Sequence, residues 1–338
     1  MCKPKIDSKK ISVIVQGPIV GNGETDKRKK FTKRSLKSVR KYLPEAQIVL
    51  SSWKGSDISG LDYDIVVLSD EPEKINMADS SEKIMQFTTN FQITSTWNGL
   101  QKANREYAIK MRSDIILTGT GFIKYFIKYN KNKDSEILNN KVVVLPTYNP
   151  RKKTKLLFDT CDWFYFGLTE DIKNIFNIPL MDKNKLKGEK INGYYLIANN
   201  FPPEQYIWST FLGKYKNIYF PNYIYFTQQA LELSEESYAK NTIMISANKA
   251  QIKCLKMPNA GYGATPFLSQ GLYTFNEYKK MYNKYNKNKI SIIPNPTEDI
   301  LYFLVFKLRL FSKEKMPKLH KKIVNFIRKC NGSYNLLK

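Results

Sequence analysis

In the stretch Tyr107-Ala-Ile-Lys-Met-Arg-Ser-Asp114, two cations and a carboxylate recur at every second position: Lys110, Arg112 and Asp114. Side chains of an extended strand alternate between its two faces, so a strand running through this segment puts all three on one face. Buried parallel strands rarely carry such groups. An unpaired buried charge costs several kcal/mol, and these residues must therefore meet one another, solvent or a ligand. A pyrophosphate suits the set: the cations neutralise its oxygens and the carboxylate holds a divalent metal that bridges two phosphates. An internal ion-pair cluster is the other reading.

Composition narrows the remaining chemistry. The chain of 338 residues holds one histidine, His320, in a lysine-rich tail, and four cysteines far apart at Cys2, Cys161, Cys254 and Cys330. A Ser-His-Asp triad, a histidine-ligated zinc site and a short-spaced redox motif all lack their parts. Lys and Arg number 55 against 30 acidic residues, a net charge of +25, which calls for an anionic partner. Nucleic acid, an acidic membrane leaflet and a phosphate-bearing small molecule all fit that balance. No RNP, KH or zinc-knuckle pattern is present, and the aromatics are not interleaved with the basic runs, so nucleic acid is the weakest of the three.

The elements that must position these groups follow from periodicity. Ile11 to Val15 reads as a buried strand ending in Gln16-Gly17-Pro18, and a helix from about Thr25 to Leu43 follows. This helix carries a basic stripe at Lys30, Arg34, Lys37 and Lys41, a solvated or ligand-binding face. Strands are expected at Ala46 to Ser52, Asp64 to Leu68 and Tyr107 to Arg112, with an amphipathic helix carrying Ile84, Phe87, Phe91, Trp97 and Leu100 before the last. Strands alternating with helices predict βαβ units and a mainly parallel sheet, with functional groups beyond the strands' C-terminal ends. Further on, Phe122 to Tyr129 and Pro203 to Phe211 read as helices, and Lys141 to Leu145 and Trp163 to Phe166 as strands. Tyr278 to Lys289 is a low-complexity Lys, Asn and Tyr mixture. With Pro294-Asn295-Pro296 it reads as a linker into a tail that carries ten Lys or Arg against two acids from Asp299 onward.

Five segments together resemble the WavE family of lipopolysaccharide-synthesis proteins. They are Ile11-Ser-Val-Ile-Val-Gln-Gly-Pro-Ile19, Ile48-Val-Leu-Ser-Ser-Trp-Lys-Gly55, Lys110-Met-Arg-Ser-Asp114, Asp162-Trp-Phe-Tyr-Phe-Gly167 and Pro203-Glu-Gln-Tyr-Ile-Trp208. The resemblance covers roughly residues 10 to 265. It implies an α/β fold of the GT-A glycosyltransferase type, a nucleotide-sugar-binding mixed sheet flanked by helices, followed here by the basic helical tail. Where that fold carries Asp-x-Asp, this chain has Arg112-Ser113-Asp114, a single carboxylate. Either Asp114 holds a Mn or Mg ion, or Lys110 and Arg112 neutralise the leaving phosphates without one.

Carried onto these positions, the resemblance implies that Gln16, Gly17 and Pro18 form a turn against the donor nucleotide. Gly17 permits close approach there, although a plain strand-ending turn would look the same. Trp53 is expected to stack on the base and Lys54 to meet a phosphate, unless Trp53 is simply core. Asp70 is expected on ribose hydroxyls or as a loop cap. An inverting reaction needs a base for the acceptor hydroxyl. Glu204, in the first turn of its helix, is the candidate base, and Asp162 the acceptor ligand. Helix N-terminal charge compensation and loop capping are their structural alternatives.

The expectation is thus a glycosyltransferase that moves a sugar from a nucleotide-sugar donor to a lipopolysaccharide or capsule acceptor, with transfer of a sugar phosphate or polyol phosphate as the alternative. Residues 1–120 are expected to hold the donor, 121–275 the acceptor, and 276–338 to form a linker and basic amphipathic tail. The aliphatic and aromatic run Ile300 to Phe306 falls far short of the ~20 residues of a membrane-spanning helix, and no signal peptide is apparent. A cytoplasmic protein is expected, held at the inner face of the bacterial inner membrane by contact of the tail with anionic lipid.

Overall fold

The computed structural model describes residues 6–22, 30–78, 84–131, 135–151, 156–182, 190–191, 194–195, 202–218, 226–256, 271–292, 304, 307–309 and 311–330. In chain order, β1 is Ile11–Gln16, α1 Phe31–Tyr42, β2 Gln47–Trp53, β3 Ile65–Ser69, β4 Ile75–Ala78 and β5 Ile84–Phe87. There follow α2 Thr89–Leu100, β6 Tyr107–Arg112, β7 Ile115–Leu117, α3 Gly121–Tyr129, β8 Val142–Val144, β9 Phe164–Leu168 and α4 Thr169–Phe176. Then come β10 Lys190–Ile191, β11 Tyr194–Tyr195, α5 Pro203–Gly213, α6 Gln228–Asn241, β12 Thr242–Met244, α7 Ala247–Ala250, β13 Ile252–Cys254 and α8 Phe275–Tyr285.

Seven strands form the central sheet in the order β12-β8-β9-β6-β1-β2-β3. β1 is parallel to β2 and β6, β2 to β3, and β8 to β12. β9 runs antiparallel to both of its neighbours, β6 and β8. The fold is therefore mixed α/β with a mostly parallel sheet. Every residue of β1 and β2 is buried, as expected of strands covered on both faces, and this explains their near-continuous apolar runs. α1 turns Phe31, Leu36 and Val39 into the core and leaves Lys30, Arg34, Lys37 and Lys41 exposed. Residues 25–29, expected to begin this helix, lie outside the described residues.

α2 packs directly on β1 and β2 because Gly99 has no side chain to hold them apart. A Cβ there would stand 2.6 Å from Ile14 Cγ2 and 3.0 Å from Ser51 Cβ. Two readings of the sequence are corrected by the structure. Ile84 and Phe87 do not belong to α2 but to β5, which pairs antiparallel with β4. A segment of four residues with apolar ends fits either period, and the hairpin partner at Ile75–Ala78 decides it. The Lys, Asn and Tyr mixture after Tyr278 is folded as far as Tyr285, as the C-terminal part of α8. Thr274 and Glu277 close a capping box, and Tyr278, Met281 and Tyr282, at helical spacing, are buried against the core.

Candidate active site

The C-terminal ends of β1, β2 and β6 open onto a cleft of about 460 Å³. Gln16, Gly17 and Pro18 form one wall as the chain leaves β1, and Trp53 ends β2 beside them. Gly17 has φ +108°, a conformation that favours glycine, and its N–H donates to the Ser51 carbonyl at 3.0 Å. The turn is tied to the exit of β6 from both sides. The Ser113 N–H donates to the Gln16 carbonyl at 2.9 Å, and the Ser113 hydroxyl to the Pro18 carbonyl at 2.6 Å. Ser95 Oγ donates to Gln16 Oε1 at 2.7 Å and fixes that amide from α2. Phe91, also on α2, meets Trp53 edge to face with ring centroids 5.3 Å apart.

Arg112 and Asp114 enter the cleft from the end of β6. Arg112 Nε and Nη2 donate to Asp114 Oδ1 at 3.1 Å and Oδ2 at 2.8 Å, a two-point pair. Its Nη1 stands 3.9 Å from Asp162 Oδ2, and its guanidinium lies over the Trp163 ring. Burial works against the charge on Arg112, but the carboxylates of Asp114 and Asp162 prevail and hold it protonated.

Lys110 shares the strand face of Arg112 but not its exposure. It is wholly buried, donates to the Asp162 carbonyl, and sits against the rings of Tyr165 and Phe176. Burial lowers its pKa to about 8, with Asp162 opposing the shift. Lys110 thus fixes the backbone of Asp162 from below and does not line the cleft.

Asp162 and Glu204, expected on the acceptor side, stand in one electrostatic group behind Arg112, joined by Asp159. Asp162 is buried, and its Oδ1 has no hydrogen-bond partner. Asp159 accepts from Thr147 Oγ1 at 2.5 Å, and burial pushes its carboxyl up to about 6. Glu204 sits half-buried in the first turn of α5. Desolvation first, then the charges of Asp162 and Asp159, raise its pKa well above the usual carboxylate range. Lys54 and Asp70 are not brought to the cleft. They pair with each other at 2.8 Å, both largely exposed.

Several residues of the site had no clear sign in the sequence. Lys74, Lys256, Glu71, Thr88, Phe91 and Gln92 also line the cleft. Gln92 Oε1 is buried without a partner. Asp159 had one visible signal, its place three residues before Asp162 ahead of an aromatic strand.

Asp114, the expected metal ligand, is held by Arg112. Both oxygens of Asp114 are engaged by one guanidinium, and among the described residues no group of three or more His, Cys, Asp or Glu could hold a metal ion. Charge at this cleft is offset by Arg112, with Lys74 and Lys256 on its rim.

A mixed α/β sheet thus carries at its strand ends a cleft lined by the cations Arg112, Lys74 and Lys256 and the carboxylates Asp114 and Glu71, with the buried Asp159 and Asp162 behind Arg112. Residues 11–316 match the family model for WavE lipopolysaccharide synthesis, and the chain belongs to that family. No curated protein matches the chain significantly. Among solved structures it is similar to a 4-diphosphocytidyl-2C-methyl-D-erythritol synthase from Anaerococcus prevotii, at 14% identity over 68% of this chain and 97% of that one, TM-score 0.30. It is also similar to a cytidylyltransferase from Leptospira borgpetersenii, at 9% identity over 51% and 66%, TM-score 0.29. A third is the bifunctional IspDF from Campylobacter jejuni, at 12% identity over 69% and 54%, TM-score 0.31. Likenesses of this degree do not bear on the chemistry of this chain.

Proposed function

We propose that the protein is a glycosyltransferase with a GT-A-like sheet that moves a sugar from a nucleotide donor to a lipopolysaccharide or capsule acceptor. The diphosphate of the donor lies against Arg112, Lys74 and Lys256, and the base lies toward Trp53 and Phe91. The bond between the anomeric carbon and the phosphate oxygen breaks, and its electron pair leaves with the nucleoside diphosphate. The acceptor hydroxyl forms the new bond and gives its proton to Glu204. A carboxylate with raised proton affinity is a stronger base, which suits Glu204 to that step. Asp162 and Asp159 stand beside Glu204, and their charges strengthen it as a base.

One observation carries this reading: Arg112 reaches the cleft at Asp114 on one side and approaches Asp162 within 3.9 Å on the other. A single fixed cation thus joins the place where negative charge would accumulate to the place where a proton would leave. Thermal-shift screening of nucleotide sugars, followed by mass spectrometry of the product formed on a glycan acceptor, tests it. Transfer of a sugar without its phosphate is the expected product. A product heavier by one phosphate, or no shift with any nucleotide sugar, counts against the proposal.

A further inference from the structure

Among the described residues, eight large apolar side chains are left exposed, and six of them lie in the tail: Leu304, Leu308, Phe311, Met316, Leu319 and Phe326, at 43–67% exposure. Isolated exposed apolar side chains are ordinary, but this concentration is not. Leu304, Leu308 and Phe311 follow three- and four-residue spacing, as do Leu319 and Phe326 with the half-buried Ile323 between them. Helical bonding continues past Pro317: the Met316 N–H donates to the Ser312 carbonyl and the His320 N–H to the Met316 carbonyl. The Ser312 hydroxyl also meets His320 Nδ1 at 2.8 Å across this junction. The tail helix Pro317–Cys330 therefore extends the segment before it. From Lys307 to Lys329 this region has nine Lys or Arg and one acid, Glu314. Ile300, Leu301 and Phe303, expected on the same stripe, lie outside the described residues.

We infer that the tail is a docking surface for an anionic lipid leaflet. Its charge complements acidic headgroups, and its exposed leucines and phenylalanines can enter the acyl boundary while the long lysine side chains reach back to the headgroups. A second copy of the chain would bring nine cations against nine. RNA would meet the cations but leave the apolar stripe in water. The inference stands apart from the reaction proposed above, since lipid binding is read without any donor or acceptor.

The test is co-sedimentation of the full-length protein with phosphatidylcholine vesicles, with and without phosphatidylglycerol. Binding is expected only to the phosphatidylglycerol vesicles, with the bound fraction falling on the order of 10-fold at high salt. Two variants separate the contributions: Leu308→Gln with Phe311→Gln, and Lys318→Glu with Lys321→Glu and Lys322→Glu. All five side chains are exposed, so both variants are expected to melt as wild type does, and each should lose vesicle binding. The inference is overturned by absent binding to phosphatidylglycerol vesicles, by equal binding to neutral ones, or by wild-type binding in folded variants. Dimerisation abolished by the Leu308/Phe311 variant, or retention by RNA in place of vesicles, overturns it equally.

Discussion

Arg112 clasps Asp114 through two hydrogen bonds of 3.1 and 2.8 Å and keeps its third nitrogen within 3.9 Å of Asp162. The planar fork of a guanidinium allows this double engagement, and a lysine ammonium cannot reproduce it. Arg112→Lys is therefore expected to lower kcat by about 10²–10³-fold, the usual effect of removing a fixed charge donor from a site of developing negative charge. Steady-state kinetics with the donor identified by thermal shift would show it. An Arg112→Lys enzyme of wild-type rate would detach this residue from the chemistry.

Glu204 is expected to act unprotonated. Since burial and the neighbouring Asp162 and Asp159 raise its pKa, kcat/KM should climb with pH through a midpoint above the ordinary carboxylate range. Glu204→Gln should remove that limb and cost about 10²–10⁴-fold in rate. A wild-type midpoint near the ordinary value for glutamate would argue against Glu204 as base.

Chelation offers a direct check on the charge arrangement of the cleft. With Asp114 engaged by Arg112, transfer should proceed at an unchanged rate in EDTA, and adding Mn²⁺ or Mg²⁺ should not stimulate it. Loss of activity in EDTA with recovery on adding metal would mean that the Arg112–Asp114 pair opens when substrate binds.

Lys110 makes stability depend on pH in a defined direction. Its folded pKa of about 8 lies below the ordinary 10.5, so between these values the unfolded chain carries a proton that the folded chain has released. The cost of burying the charged amine is fully present below about pH 8 and fades as pH rises toward 10.5, a gain on the order of 3 kcal/mol. Urea unfolding of wild type and Lys110→Met at pH 7.5 and 9.5 isolates it. The variant should lack the rise, and parallel curves would refute the assignment.

Gly99→Ala tests the close approach of α2 to the sheet. The added carbon meets Ile14 and Ser51, and the cost of such overpacking is about 1–3 kcal/mol. Thermal unfolding measures it directly.

The limits of β6, Tyr107–Arg112, could be read from the sequence, because its charges recur at every second position as on one face of a strand. The same alternation placed Lys110 and Arg112 on one face, but it says nothing of depth. Lys110 is buried because Asp162, 52 positions away, brings its carbonyl there, and no local pattern encodes that meeting. Lys54 and Asp70 show the converse. Each ends a strand as read, yet their nearest available partner is the other, across the β2–β3 edge. The β4–β5 hairpin was hidden for a further reason: four-residue strands carry too little periodicity to be told from a helical turn. Phe91 and Gln92 are placed by the packing of α2, which depends on Gly99 eight and seven residues further on.

The reversed direction of β9 has one more outcome. Because it runs against β6, the chain arrives at β9 beside the point where it leaves β6, and Trp163 receives the Arg112 N–H at 3.3 Å. Had β9 run with its neighbour, Asp162 would sit about 17 Å off, at the far rim. Two stretches that meet nowhere in the linear message are thus sewn into a common seam by main-chain bonding, which is blind to side-chain identity. Their mutual alignment can outlast wide drift in the loops on either side.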